Sequence, residues 1–300
     1  MLLRIRHHYP IPIQSPLALL KRSTINMNRN QLLSVTFLFI ILSSCTKEDV
    51  GEQTPPKPTP APVTMRLQPF TTAIGNNIGG YYVAKPSDYD STTTRLPLLI
   101  FLPGAGQFGN GNVDLPLLLN DGPVQLVDEK KFPATFTVNG TTYSFILFTP
   151  QFKNFASIND VKECINFLKT SYRIDTTRIY ISGLSSGAEL ATEVAAAMPG
   201  KLAAIVPLAG VFQDYATTNK CGAIAAANLP VWAFHCQDDP IYPIASVRGF
   251  VQKINSFNPG VLSKITVWPS GGHDAWTRAI EPAYKEAGMN IYEWMLQFKR

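Results

Sequence analysis

The chain has 300 residues, 45% of them hydrophobic and 16% charged, which suits an ordinary globular core and allows one large domain or two small ones. Its formal charge of +5 is confined to the start: Arg4, Arg6, Lys21, Arg22 and Arg29 fall in residues 1–44, which hold no acid, and from Cys45 onward 21 basic residues face 21 acidic ones. The remainder is neutral, so the basic footprint that a nucleic-acid-binding protein needs is missing and no nucleic-acid partner is expected.

Residues 32–42 are an apolar run of the length of a signal-peptide core, preceded by Arg29. The run is too short to cross a bilayer as a helix. It ends in Leu42-Ser43-Ser44-Cys45, which resembles a bacterial lipobox, where small residues precede a cysteine that is lipidated and becomes the new N-terminus. On this reading residues 1–44 are a signal peptide and Cys45 is the lipidation site; the rival is a plain secretory signal with an incidental cysteine. Met27 would start a signal of ordinary length, which makes residues 1–26 an upstream extension. Residues 45–64 form a linker: Thr46-Lys47-Glu48-Asp49, then a stretch dense in proline from Thr54 to Pro62, which favours extended polyproline conformation and cannot pack a core. Charged residues directly after the cysteine resemble those of bacterial lipoproteins on the outer membrane or cell surface. The expectation is an exported protein that touches the membrane through its lipid alone.

From Met65 the pattern changes to alternating strands and helices, without an internal repeat, and residues 65–300 read as one domain. Residues 78–84 read as a strand, and 96–102 is a continuous apolar run of the kind buried on both faces of a sheet. A Gly-rich turn follows at Gly104-Ala105-Gly106. Asn139-Gly140 signals a hairpin within residues 136–148. Residues 158–172 have helical spacing, with Val161, Cys164, Ile165 and Leu168 on one side. Then come a strand at 178–182, a helix of small residues at 186–198 stopped by Pro199-Gly200, strands at 203–208 and 231–234, a helix at 243–257, a strand at 265–268 and a closing helix at 290–298. This alternation implies an α/β fold with a mostly parallel central sheet and helices on both faces, with the chemistry at the carboxyl ends of the strands. Three cysteines follow the linker, Cys164, Cys221 and Cys236; an exported chain has room for one disulfide among them, and Cys221 with Cys236 is the favoured pair because both fall in the same late region.

Gly183-Leu184-Ser185-Ser186-Gly187 carries the strongest chemical signal. It follows a strand and opens a helix, the context that a nucleophile elbow requires, and the helix N-terminus adds positive potential near a developing oxyanion. The competing reading is a strand–helix turn with serine as a cap. A serine hydroxyl needs a base. From Cys45 onward there are two histidines: His273, in the Gly-rich loop Ser270-Gly-Gly-His-Asp-Ala-Trp276 after a strand, is expected to be the base, and His235, at a strand end, a structural residue. The acid belongs between Ser185 and His273, on the loop Cys236-Gln-Asp238-Asp239-Pro240; Asp239 is expected, with Asp238 as competitor and Asp214 a remoter one. The backbone N–H groups of Ser186 and Ala105 are the expected oxyanion donors.

Taken in order, Leu102-Pro-Gly-Ala-Gly106, Gly109-Asn-Gly111, Thr149-Pro150-Gln151, the Gly183 elbow, Trp232-Ala-Phe-His235 with Asp239, and Gly272-His-Asp274 with Trp276 resemble the secreted α/β-hydrolase esterases. These include the feruloyl esterases, the polyhydroxybutyrate-depolymerase-like proteins and the phospholipase/carboxylesterases. The resemblance covers about residues 65–300. It implies an α/β-hydrolase fold, a serine carboxylic-ester hydrolase working through an acyl-enzyme, and a substrate among plant cell-wall polysaccharide esters, feruloyl or acetyl. Gln151 and Trp276, with Phe152 and Phe155, are the expected substrate-contacting side chains; core packing is the alternative for these aromatics. The family usually has His-Gly where this chain has Pro103-Gly104, and again where it has His235-Cys236; the first departure bears on the oxyanion turn. No cofactor is implied, and no His/Cys/Asp cluster has metal-ligand spacing. Rival readings are a peptidase or lipase on the same fold, and a non-catalytic glycan-binding protein.

Overall fold

The computed structural model describes residues 61–216 and 219–300. The signal segment 1–44, Cys45 and the linker as far as residue 60 lie outside the described residues; residues 61–64 have no regular secondary structure. In chain order the elements are β1 (Met65–Phe70), β2 (Ile78–Pro86), β3 (Leu96–Leu102), α1 (Pro123–Asp128), β4 (Phe136–Val138), β5 (Thr141–Tyr143), β6 (Ile146–Phe152), α2 (Ile158–Ser171), β7 (Ile174–Leu184), α3 (Ser186–Ala197), β8 (Ala204–Leu208), α4 (Lys220–Ala226), β9 (Trp232–Cys236), α5 (Ile244–Asn255), β10 (Lys264–Trp268), α6 (Trp276–Ala279) and α7 (Ile291–Leu296). Short 3₁₀ turns at Ala105–Gln107 and Leu115–Asn120 fill the connection between β3 and α1.

Among the described residues eight strands form one sheet in the order β1-β2-β6-β3-β7-β8-β9-β10. The pairs from β6 to β10 are parallel, and β2 runs against both of its neighbours. The apolar run of β3 is buried at all seven positions because the strand lies in the middle of the sheet. Its alternate residues feed two cores: Leu98, Ile100 and Leu102 pack on one face with the buried side of α2, and Leu99 and Phe101 on the other with α7. Asn139 and Gly140 both adopt positive φ, 50° and 76°, as a tight hairpin turn requires. That hairpin, β4–β5, is a separate two-stranded sheet, and only β6 joins the main one.

Helix α2 starts where Ser157 and Asp160 cap each other's backbone N–H groups, and it buries Val161, Cys164, Ile165 and Leu168. The alanine-rich α3 lies close against the sheet, burying Ala188, Ala191 and Ala195.

The favoured Cys221–Cys236 disulfide is not formed. All three described cysteines are free and buried. Cys221, on α4, belongs to the core on one face of the sheet together with Cys164, whereas Cys236, ending β9, belongs to the core on the opposite face. Proximity in sequence misleads here because the sheet itself separates the two thiols. Burial pushes the Cys164 and Cys236 thiols above their ordinary range and the Cys221 thiol up to about 11.

The carboxyl ends of the parallel strands meet along one edge. β3 leads into the Gly104 turn, β7 into Ser185, β9 into Asp238 and Asp239, and β10 into the loop of His273. A mostly parallel sheet thus delivers side chains from four separate chain segments to one place.

Candidate active site

Ser185 stands on the sharp turn between β7 and α3 with φ 53° and ψ −120°, a conformation that costs a non-glycine residue on the order of 1–3 kcal/mol and is held only by its surroundings. The two flanking glycines make the turn possible. A Cβ on Gly187 would lie 2.2 Å from the Leu102 carbonyl oxygen, and one on Gly183 would lie 2.6 Å from that of Gly187. Ser185 N–H donates to Leu208 O at 2.9 Å, and the Ser185 carbonyl accepts from Ala188 and Glu189 as α3 begins.

His273 Nε2 lies 2.8 Å from Ser185 Oγ, and His273 Nδ1 lies 2.8 Å from Asp239 Oδ2. The Asp239 side chain is fully buried, and its other oxygen accepts from the N–H groups of Ile241 (2.8 Å) and Tyr242 (3.0 Å). Those two bonds fix the carboxylate and leave Oδ2 aimed at the imidazole. Asp238 points elsewhere: its carboxylate accepts from Gly272 N–H at 2.8 Å and Gly271 N–H at 3.4 Å, so it holds the loop that carries His273 rather than the ring. Asp214 is paired with Lys220 at 2.9 Å.

His235 is fully buried beneath this group, with Nε2 2.8 Å from the Tyr242 carbonyl and 3.5 Å from Asp239 Oδ2. A carbonyl only accepts, so Nε2 carries the hydrogen. Burial pushes the imidazole below the ordinary histidine range, against the opposing pull of the Tyr242 carbonyl and Asp239.

Each of the two expected oxyanion donors opens a helical segment. Ser186 is the first residue of α3 and Ala105 the first of the 3₁₀ turn after β3, positions whose N–H groups have no acceptor within their own helix. Pro103 keeps its place before this turn, and the turn is closed by a side chain: Gln107 Oε1 accepts from Gly104 N–H at 3.2 Å, while Gln107 N–H donates to Gly104 O at 3.0 Å. Gln107 Nε2 also reaches the carbonyls of Leu117, Leu118 and Asp121 at 3.3–3.5 Å.

One expectation is overturned. Gln151 is not among the residues lining the cleft at Ser185; it is completely buried and all its polar atoms are used. Oε1 accepts from Gly111 N–H at 2.9 Å, and Nε2 donates to Gln107 O at 3.1 Å and to Asp114 O at 2.7 Å. It fastens the loop after the Gly104 turn to β6, which leaves nothing for a substrate.

Trp276 does reach the cleft. Its ring meets His273 edge-on, with centroids 5.2 Å apart, and its Nε1 donates to Asp121 Oδ1 at 2.8 Å. Tyr242 stacks on His273 at 5.7 Å, and its hydroxyl donates to Glu189 Oε2 at 2.6 Å. Burial and that carboxylate hold the Tyr242 phenol well above its ordinary value, so it remains a donor. The imidazole therefore touches two rings, each tied to a carboxylate on another element. Gln107, Asp121, Glu189 and Tyr242 carry no motif and went unnoticed in the sequence; the place of Tyr242, three residues after Asp239, was the one available hint.

Ser185, His273, Trp276, Asp121 and the Gly104 turn line a cleft of about 250 Å³. On the Ser186 side lies a smaller notch of about 30 Å³ with Pro103, Phe108, Phe152 and Phe155 in its walls. Phe152 is itself buried; Phe155 is exposed and packs edge-on against Phe108. Among the described residues no cluster of His, Cys, Asp and Glu is placed to hold a metal ion, and no helix is long and apolar enough to cross a membrane.

Over 157 residues the chain is 27% identical to a bifunctional acetylxylan esterase/xylanase of Neocallimastix patriciarum, covering 52% of this chain and 21% of that protein. Over 110 residues it is 27% identical to poly(3-hydroxyalkanoate) depolymerase C of Paucimonas lemoignei, covering 36% and 24%. The chain thus spans about a fifth to a quarter of the length of these relatives. Among solved structures, a thermostable esterase aligns with TM-score 0.56 and 24% identity over 79% of this chain and 63% of its own. A feruloyl esterase module from Clostridium thermocellum aligns with TM-score 0.50 and 16% identity over 74% and 85%. These likenesses establish the fold, that of the α/β-hydrolases. The phospholipase/carboxylesterase family model matches residues 123–289, a span that holds Ser185, Asp239 and His273, and the chain belongs to that family.

Proposed function

We propose that this protein hydrolyses carboxylic esters through an acyl-enzyme on Ser185. The observation that carries the reading is the unbroken line from Ser185 Oγ through His273 to the buried Asp239, with both contacts at 2.8 Å and the serine on a strained turn. His273 Nε2 takes the Ser185 proton as Oγ attacks the ester carbonyl carbon. The carbonyl oxygen becomes an oxyanion and accepts hydrogen bonds from the Ala105 and Ser186 N–H groups. Collapse of the tetrahedral intermediate breaks the bond to the alcohol oxygen, which leaves with the proton from Nε2. Water then adds to the acyl-enzyme, giving its proton to Nε2, and the acid departs as Ser185 Oγ recovers that proton. Asp239 keeps Nδ1–H oriented and stabilises the imidazolium throughout.

The substrate class in this reading is an ester on plant cell-wall polysaccharide, acetyl or feruloyl. Support comes from the acetylxylan-esterase relative and from a cleft that combines an indole with carboxamide and carboxylate groups. Export, with a lipid at Cys45 as the membrane attachment, fits an enzyme for substrates too large to enter a cell. The test is hydrolysis of p-nitrophenyl acetate and methyl ferulate by the full chain against Ser185→Ala. A drop in kcat of about 10³-fold or more is expected in the variant, on the scale seen when a serine nucleophile is removed. Equal turnover by the two proteins would remove Ser185 from the chemistry.

A further inference from the structure

The role proposed for His273 bears on which half of the ester occupies the main cleft. The leaving alcohol takes its proton from Nε2, so it must lie beside His273. The cleft of about 250 Å³ is the space that Ser185 and His273 share. Trp276, Asn120 and Asp121 also line it. The family chemistry asks nothing of Asp121, yet this carboxylate is built in with care. Its backbone carbonyl is held by Gln107, the same side chain that closes the Gly104 turn. Its Oδ1 is occupied by Trp276 Nε1. Its Oδ2 has no hydrogen bond from any described residue. A carboxylate that only accepts, held at its backbone carbonyl and at Oδ1 on a residue that lines this cleft, is prepared for a donor that the substrate brings.

We propose that Asp121 selects the alcohol half of the ester: it accepts a hydroxyl of a sugar or other polyol and turns away alcohols that carry negative charge. This rests on the ester-hydrolase reading above. It adds that discrimination lies in the alcohol and is electrostatic. Asn120 beside it offers both a donor and an acceptor to neighbouring hydroxyls.

The experiment uses the full chain and three acetates with one acyl group and three alcohols: phenyl acetate, 3-acetoxybenzoate and 3-acetoxy-N,N,N-trimethylanilinium. Each kcat/KM is divided by the hydroxide-catalysed rate, to remove leaving-group reactivity. Wild type is expected to prefer the cationic over the anionic alcohol by about tenfold or more, the scale of a charge pair in a partly wet site. Asp121→Asn keeps an acceptor for Trp276 but loses the charge, so it compresses that ratio by about tenfold. It also lowers the preference for a monoacetylated methyl xyloside over ethyl acetate. Trp276→Phe loses the indole donor but keeps the carboxylate, and the charge preference survives. Should Asp121→Asn fail to fold, raising the salt from about 0.05 to about 1 M must narrow the wild-type ratio severalfold, because the screening length shortens from about 14 Å to about 3 Å. A wild type without charge preference, a salt-independent ratio, or an Asp121→Asn variant that slows all three esters equally would overturn the proposal. A wild type that turns over neither these acetates nor methyl ferulate overturns the ester-hydrolase reading, and Asp121 falls with it.

Discussion

Replacing Gln151 with alanine separates a latch from a substrate contact. The side chain is fully buried and makes three hydrogen bonds, all to backbone groups of the segment after the Gly104 turn. Each such bond is worth about 0.5–1.5 kcal/mol net, and a buried partner left without a replacement costs about 1–3 kcal/mol. Water entering the vacated space recovers part of the second cost, which leaves a destabilisation of about 3–5 kcal/mol for the variant. A domain of this size loses about 2–4 °C of Tm per kcal/mol, so thermal unfolding followed by circular dichroism should move down by about 10 °C. In the folded variant at 25 °C, KM for p-nitrophenyl acetate should stay within about twofold of wild type. The fall belongs in kcat, because Gln107, which closes the Gly104 turn proposed to bind the oxyanion, loses the donor to its carbonyl. An unchanged Tm with a KM raised about tenfold would refute this reasoning and return Gln151 to the substrate.

Tyr242→Phe keeps the ring on His273 and removes the bond to Glu189; kcat/KM should fall by about three- to tenfold with little change in Tm, the scale of one hydrogen bond, and an unchanged value would show that the anchor is idle. Alkylation without reductant should leave Cys164, Cys221 and Cys236 unlabelled in the native protein and label all three in denaturant; protection of Cys221 and Cys236 in denaturant would reveal the disulfide that the fold forbids. For His235 the folded pKa lies below the unfolded one, so the unfolded chain binds the extra proton first as pH falls. At neutral pH and above, both states are uncharged there and the shift contributes nothing. Below about pH 6.5 stability drops, and the loss grows until the folded-state pKa is passed. His235→Gln should therefore show a shallower acid slope of urea-unfolding free energy than wild type; parallel slopes would refute the assignment.

The sheet was readable from the chain because its central strands are runs such as Leu96–Leu102, where burial on both faces removes polar positions altogether. The elbow was readable because two glycines and a serine at fixed spacing answer a steric demand that is local, visible in the 2.2 Å approach to Leu102 O. Ser185, Asp239 and His273, picked out in the sequence by order and by loop position, are brought within hydrogen-bonding reach. Gln151 was misread for a physical reason. A glutamine amid apolar residues looks like a polar group waiting for a ligand, and its partner Gly111 lies 40 residues earlier, where no periodicity points. The same holds for Asp121, whose bond to Trp276 spans 155 residues. The short helices α4 and α6 escaped notice because neither is long enough to repeat an apolar face.

The strand order has a bearing on how this site would fail. Ser185 and Ala105 follow β7 and β3, each flanked by strands on both sides, whereas His273 follows β10, the last strand in the sheet. Edge strands open at lower free energy than central ones. In the proposed mechanism Ser185 and the Ala105 and Ser186 N–H groups thus belong to the firmest part of the molecule, and the His273 loop is moored at its margin by the Asp238 and Asp121 contacts. On warming, the histidine loop should detach while the sheet is still whole, so that activity and its amide protection vanish several degrees before the bulk of the helical signal. The margin of the sheet, rather than its core, then sets the working temperature of the protein.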